Sequence, residues 1–136
     1  MAYDADILIV GGGLNGTCLA LACAQAGLSS VVIDSATSDT RARDDFDGRS
    51  YALALASVRM LGALGLWADL ADHAQPILQI KASDGRAGQG AAPFFLHFDS
   101  AELEEGPMGH MLEDRYLRRA LMAAIDNAPL VTHRQG

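Results

Sequence analysis

Two short hydrophobic runs near the start of the chain are separated by a glycine cluster and an alanine- and leucine-rich segment. The runs Ile7–Val10 and Ser30–Asp34 are continuous and aliphatic, as in strands buried on both faces of a parallel sheet. Residues 14–26 lack proline and favour a helix, which Gly27 ends in the C-cap position. The pattern therefore predicts a βαβ unit with a parallel sheet and a right-handed crossover.

The middle of the chain alternates between polar and periodic segments. Residues 35–48 are polar and predict a loop, whereas residues 51–64 carry leucine and valine at helical spacing, ending at a Gly65 cap. Residues 68–74 predict a short second helix that ends before Pro76.

The last third combines strand signals with one strong helix. Residues 77–83 and 94–98 predict a small antiparallel hairpin, with Asp84-Gly85 as its turn signal and residues 88–90 as a loose loop. The remaining elements are a short strand over 107–111, an amphipathic helix over 114–127 and a strand from 130. We expect an α/β fold with a Rossmann-type parallel sheet. A strand starting so near the end indicates a truncated domain.

Composition excludes some classes of function. Half of the residues are hydrophobic, which favours a packed core, and the formal charge of −7 argues against a nucleic-acid surface. The acidic N-terminus does not resemble a signal peptide, and no apolar run approaches the ~20 residues of a membrane span. Cys18 and Cys23 are interpreted as helix-packing thiols in a reducing compartment. These features predict a cytoplasmic protein.

The glycine cluster carries the main chemical signal, Gly11-x-Gly13-x-x-Gly16, with Leu14 and Asn15 between the last two glycines. It follows a predicted strand and opens a predicted helix, which is the context of a dinucleotide-binding turn. Gly11 allows the sharp turn, Gly13 allows a diphosphate to approach the backbone, and Gly16 allows close packing of helix on strand. The alternative is a glycine-rich turn that binds nothing.

An acidic residue, Asp34, closes the second predicted strand. A carboxylate there can accept hydrogen bonds from both ribose hydroxyls of an adenosine and repels a 2′-phosphate. The motif therefore indicates FAD or NAD and does not separate the two.

Several further segments form an ordered set of motifs. They are DGRSYALA at 47–54, SVRML at 57–61, LGLW at 64–67, LHFD at 96–99 and GHMLEDRYLRRAL at 109–121. Together these segments resemble the FAD-dependent hydroxylases of ubiquinone biosynthesis, of the 2-octaprenyl-6-methoxyphenol hydroxylase type, which are single-component aromatic flavoprotein monooxygenases.

The resemblance implies an activity that the full-length protein would carry. It implies FAD as the tightly held cofactor, NAD(P)H as the transient reductant, O₂ as the co-substrate, and a phenol with or without a prenyl tail as the acceptor. It implies that residues 1–136 are the N-terminal part of the FAD-binding domain, that 76–112 insert a hairpin into the substrate-domain sheet, and that a C-terminal remainder is absent. This stretch alone should then be inactive. Other ubiquinone-biosynthesis enzymes are expected partners, and peripheral association with the inner membrane is expected of the full-length protein.

The resemblance also extends the expected cofactor site. Arg49 matches an arginine that reaches the flavin side in relatives, with an ordinary solvated loop charge as the alternative. At the start of the later helix, Asp114 stands where relatives hold a hydrogen-bond donor, so the contact is expected to shift to Arg118, one turn along. Arg115 and Arg119 cannot both join it, and at least one of the three arginines is expected to be a surface charge.

No side chain is nominated as catalytic, and the dispersed histidines indicate no metal site. Two other functions stay open at this point. One is a different FAD-dependent oxidoreductase, against which residues 47–67 argue, and the other is a non-enzymatic nucleotide-binding module.

Overall fold

A computed structural model describes residues 4–136, so Met1 to Tyr3, part of the acidic N-terminus discussed above, lie outside the described residues. Single 3₁₀ turns occur at Ala71–His73 and Ser100–Glu102. The other elements are, in order, β1 (Ile7–Val10), α1 (Leu14–Gln25), β2 (Ser30–Asp34), α2 (Ser38–Arg41), β3 (Ser50–Ala54), α3 (Leu55–Ala63), α4 (Trp67–Leu70), β4 (Gln75–Pro76), β5 (Gln79–Arg86), β6 (Gly90–Asp99), β7 (Gly109–Glu113), α5 (Asp114–Asp126) and β8 (Val131–Gln135).

The predicted βαβ unit is confirmed. Strands β1, β2 and β8 form a parallel sheet in the order β1-β2-β8, and α1 lies against it. The expectation that these strands are buried on both faces is wrong. Ile9 and Val32 face α1 and are buried, whereas Leu8 and Val10 on the other face are 64% and 83% exposed. The reason is that within residues 4–136 no helix covers that second face.

The predicted helix over 51–64 is wrong in its first turn. Residues 51–54 belong to β3, which pairs antiparallel with β7, and the helix α3 begins only at Leu55. Tyr51 and Leu53 alternate with more exposed neighbours, so the two-residue period of a strand was hidden inside leucine spacing that also fits a helix. Strand β4 joins the other edge of β7, giving a small antiparallel sheet in the order β3-β7-β4 that was not predicted.

The predicted hairpin is confirmed as β5 paired with β6, but its turn is not at Asp84-Gly85. The chain continues as a strand through those residues, with a bulge between Ser83 and Gly85. It reverses at residues 87–89; Gly88 within this turn and Gly90 directly after it adopt φ values of +82° and +76°. Two glycines in the left-handed region determine the turn more strongly than the Asp-Gly pair. The proposed insertion 76–112 also includes parts of β4 and β7, which belong to the β3-β7-β4 sheet. The place of this insertion in a substrate domain stays a prediction.

The amphipathic helix α5 organises the core. Its buried face consists of Leu117, Leu121, Met122 and Ile125, which pack against leucines of α1, α3, α4 and β7. This packing places the start of α5 beside the start of α1, where the candidate site lies.

The loop predicted over 35–48 contains the one-turn helix α2, capped by the Thr37 side chain. In the described part of the chain, no helix has both the length and the apolar character that crossing a bilayer requires.

Candidate dinucleotide-binding site

The glycine turn between β1 and α1 has the geometry that its sequence predicts. Gly11 has a φ of +107°, and its N–H donates to the Ile33 carbonyl at 2.8 Å, joining the turn to β2. A Cβ on Gly16 would lie 1.8 Å from the Gly11 carbonyl oxygen, so only glycine allows this contact between helix and strand end. A Cβ on Gly13, in contrast, would meet nothing within 4 Å. The turn is therefore tightly packed at Gly16 and open at Gly13.

The N-terminus of α1 is available to an anion. Gly13 is its N-cap and provides no side-chain hydrogen bond, while the buried Thr17 hydroxyl donates back to the Gly13 and Leu14 carbonyls. The first-turn N–H groups, including those of Leu14 and Asn15, have no intrahelical acceptor, and the helix dipole adds partial positive charge. Helix N-termini with these features suit the binding of phosphate groups.

A cleft of about 210 Å³ opens in front of this helix end, where three arginines gather. Two predicted site residues, Arg49 and Arg118, reach it, and Arg41 joins them. The cleft is lined by Gly12, Gly13, Leu14, Thr17, Arg41, Arg49, Tyr51, Asp114, Arg118, Leu121 and Met122. A second, larger and more apolar groove of about 1040 Å³ borders Gly11, Asn15 and Gly16, and it shares Gly13 and Leu14 with the cleft.

Asp114 connects the arginines of the cleft. Its carboxylate is buried, accepts a hydrogen bond from the Tyr51 hydroxyl at 2.9 Å and from Arg118 Nε, and lies 3.3 Å from Arg49 Nη2. Burial and then the hydrogen bond to Asp114 raise the pKa of the Tyr51 phenol. A buried carboxylate with this many donors holds the guanidinium groups of Arg49 and Arg118 in defined positions.

The two predicted arginines differ in how firmly they are held. Arg118 is largely buried; its Nε donates to Asp114, and its Nη1 donates to the Arg41 carbonyl at 3.0 Å. Arg49 is 58% exposed and contacts the Asp47 carboxylate through Nη2 at 2.5 Å and Nε at 3.0 Å. That contact lowers the pKa of Asp47 to about 2 and raises the pKa of Arg49. Arg49 is thus both solvated and at the cleft, so the structure leaves both of its predicted roles open.

The carboxylate of Asp34 is already engaged. Arg41 donates to it through Nε at 2.8 Å and Nη2 at 2.9 Å, and these bonds hold the pKa of the Asp34 carboxyl below its ordinary value. The Asp34 side chain lies against Gly12, and Arg41 rather than Asp34 lines the cleft. The sequence patterns do not single out Arg41, because it stands in a polar segment without strong periodicity. The signal that could have found Arg41 is Thr37, a residue type that often caps a helix N-terminus. In the structure its side chain accepts a hydrogen bond from the Thr40 N–H, and the helical turn that follows contains Arg41.

The other arginines of α5 bind the loop that follows α2. Arg119 contacts Asp44 at 2.6 Å, and Arg115 contacts Glu113 at 2.7 Å and the Asp44 carbonyl at 3.2 Å. Neither lines the cleft. Among residues 4–136 no three histidine, cysteine or acidic side chains are grouped so that they could hold a metal ion.

Comparison with known proteins relates this geometry to flavoproteins. The FAD binding domain family matches residues 4–136. Ubiquinone hydroxylase UbiL of Rhodospirillum rubrum is 45% identical over 128 residues, covering 94% of this chain and 28% of that protein. The 3-demethoxyubiquinol 3-hydroxylase of Escherichia coli is 35% identical over 131 residues, covering 95% of this chain and 32% of that protein. The chain thus spans about a third or less of the length of these relatives.

Solved structures show the same fold. A probable FAD-dependent monooxygenase of Pseudomonas aeruginosa, pqsL, superposes with a TM-score of 0.69 at 22% identity, over 96% of this chain and 32% of that one. The flavin-dependent monooxygenase PieE, solved with FAD and substrate, gives a TM-score of 0.68 at 20% identity, over 99% of this chain and 24% of that one. At these identities the likeness establishes the architecture of residues 4–136.

Proposed function

Because this chain belongs to the FAD binding domain family, we propose that it holds the ADP half of FAD within an aromatic-ring hydroxylase of the ubiquinone hydroxylase type. The resemblance read from its motifs is confirmed by two curated ubiquinone hydroxylases at 45% and 35% identity. The activity belongs to the whole protein, of which the relatives indicate that these residues are one part.

The observation that carries the proposal is the contrast between Gly16 and Gly13. The contact of Gly16 with the Gly11 carbonyl fixes the helix end against the strand end, while the space at Gly13 is open. A diphosphate placed at Gly13 would accept hydrogen bonds from the first-turn N–H groups of α1. Its negative charges would face Arg49 and Arg118, which line the same cleft. Guanidinium groups suit this role because they donate two parallel hydrogen bonds to phosphate oxygens.

The roles of this chain are binding and orientation. FAD, when bound, supplies the redox and oxygen chemistry of such enzymes. We assign the diphosphate to the backbone of Gly13, Leu14 and Asn15, the ribose to Asp34, and supporting charge to Arg49 and Arg118. No catalytic side chain is assigned within residues 4–136.

The proposal for the whole protein includes NAD(P)H as transient reductant, O₂ as co-substrate and a phenol, with or without a prenyl tail, as acceptor. It also includes the β5–β6 hairpin as part of the substrate domain. In support, one face of the hairpin is apolar and exposed, through Ile80, Phe94, Leu96 and Phe98. The opposite face is more polar: it pairs Lys81 with His97 and Gln79 with Asp99, and Phe95 lies opposite Ser83. A two-stranded ribbon with one apolar face gains stability by covering that face.

The experiment uses the protein expressed in its full natural length. Purified protein is titrated with FAD, and NAD(P)H oxidation is then followed with and without a panel of phenols. The expected result is one FAD per chain and phenol-stimulated NAD(P)H oxidation with hydroxylated product. Stoichiometric FAD without phenol-dependent turnover would contradict the hydroxylase assignment alone, and no FAD binding would contradict the whole proposal.

A further inference from the structure

The ribose-binding carboxylate is closed off by a neighbouring side chain. Arg41 approaches Asp34 in a forked arrangement, with Nε and Nη2 each donating to a different carboxylate oxygen at 2.8 and 2.9 Å. The Asp34 side chain is only 2% exposed, and Arg41 itself is 31% exposed. The hydrogen bonds of this fork lower the pKa of Asp34 and raise the pKa of Arg41, so each group stabilises the charge of the other.

Few acceptor positions remain on Asp34. Its Oδ1 also accepts the Ala36 N–H at 3.2 Å, and its Oδ2 lies against Gly12, only 2.5 Å from where a Cβ would stand. A carboxylate offers about four lone-pair sites, and two ribose hydroxyls need two of them. The Arg41 guanidinium therefore occupies acceptor positions that the ribose requires.

Arg41 can release Asp34 without refolding of the loop. Its backbone is held in α2, which the Thr37 side chain caps, and its carbonyl accepts a hydrogen bond from Arg118 Nη1 at 3.0 Å. Only the side chain has to rotate, and it already lines the cleft beside Gly12 and Gly13. A rotation of this kind would direct the freed guanidinium toward the place assigned to the diphosphate.

We propose that Arg41 is a latch on the ribose site: its guanidinium must leave Asp34 before the ribose hydroxyls of the adenosine can bind there. This inference rests on the proposed function, because it concerns the same dinucleotide site. Arg41 is a positioning residue. It reduces the contribution of the ribose hydroxyls to binding, because their hydrogen bonds to Asp34 replace those that Arg41 already makes.

The test isolates the ribose hydroxyls from the diphosphate. Dissociation constants of ADP and of 2′,3′-dideoxy-ADP are measured on the full natural chain. The Kd of 2′,3′-dideoxy-ADP divided by the Kd of ADP reports the contribution of the hydroxyls alone. We expect the ratio to rise at least tenfold, about 1.4 kcal/mol, from wild type to Arg41→Met. In an Asp34→Asn background the same change should leave the ratio unaltered. Arg43→Met, which removes an exposed arginine paired with Asp45, is the matched control and should behave as wild type.

A ratio that is unchanged or smaller in Arg41→Met, with FAD binding intact, would overturn the latch and leave the proposed function standing. Should Arg41→Met fail to fold, Arg41→Lys replaces it, since one ammonium cannot reproduce the fork; an intermediate rise is expected, and no rise overturns the latch. Wild-type protein that binds neither ADP nor FAD would overturn the proposed function and the latch with it.

Discussion

Alanine substitutions at two glycines of the same turn should have opposite consequences. Gly13→Ala should leave stability nearly unchanged, because Gly13 has a φ of −76° that alanine adopts and its new methyl group meets nothing within 4 Å. Gly16→Ala places a methyl group 1.8 Å from the Gly11 carbonyl oxygen, where an ordinary contact begins at 3.4 Å. The backbone would have to separate by about 1.6 Å, the difference between these distances, which is an overpacking error.

The expected magnitudes follow from these contacts. Overpacking costs about 1–3 kcal/mol or more, so Gly16→Ala should lower the free energy of unfolding by at least that amount. Gly13→Ala should change it by less than about 0.5 kcal/mol. The methyl group at Gly13 would nevertheless block the approach of a diphosphate to the backbone. Loss of one hydrogen bond to a charged group, about 1.5–3 kcal/mol, corresponds to roughly ten- to hundredfold weaker FAD binding.

The assay combines urea unfolding with titration of FAD fluorescence on the full natural chain. Gly62→Ala, inside α3, is the matched control. A Cβ at Gly62 would lie 4.0 Å from Trp67 Cβ, an ordinary contact, so this variant should gain about 0.4–1 kcal/mol of stability with unchanged FAD affinity. If Gly13→Ala binds FAD as tightly as wild type, the diphosphate does not occupy the open space at this glycine.

Four further predictions concern the charged network and the core. Asp114→Asn should lower the free energy of unfolding by about 3–5 kcal/mol and weaken FAD binding, because Arg118 loses its buried partner. Tyr51→Phe, which removes one hydrogen bond to Asp114, should cost about 0.5–1.5 kcal/mol by urea unfolding. If Tyr51→Phe and Asp114→Asn lower the free energy of unfolding equally, Asp114 does not connect the arginines of the cleft as described. Because the folded pKa of Asp34 is depressed, its contribution to stability is present above the unfolded value of 3.8 and is lost as pH falls through the folded value. Arg41→Met should reduce this loss, and stability–pH curves of variant and wild type that stay parallel as pH falls below 3.8 would contradict the assignment. Leu121→Ala, at a fully buried core position, should cost about 2–5 kcal/mol, and a loss below 1 kcal/mol would place the core elsewhere.

Local signals account for what could be predicted from the sequence. The strands β1, β2 and β8 and the helices α1 and α5 are marked by continuous apolar runs, periodic leucines and glycines with positive φ, all read within a few residues. The close packing at Gly16 could also be predicted from local sequence, because Gly11, which Gly16 contacts, lies only five residues away. These elements place the start of α1 and the start of α5, and therefore most of the cleft.

Non-local contacts account for what was missed. Strand β3 is defined by pairing with β7, about sixty residues later, so its short alternating pattern was overridden by the leucine spacing of the following helix. The exposure of Leu8 and Val10 depends on what covers the sheet, which the composition of the strand itself does not encode. The fork from Arg41 to Asp34 depends on the conformation of a polar loop, for which no periodicity exists.

We expect the diphosphate of FAD to rest on the backbone N–H groups at the start of α1, and a crystal structure of the full natural chain with FAD is the decisive measurement. Diphosphate oxygens should lie within hydrogen-bond distance of the N–H groups of residues 13–15, with Arg49 or Arg118 beside them. FAD bound with its diphosphate elsewhere, or side chains filling the space in front of Gly13, would rule out this placement.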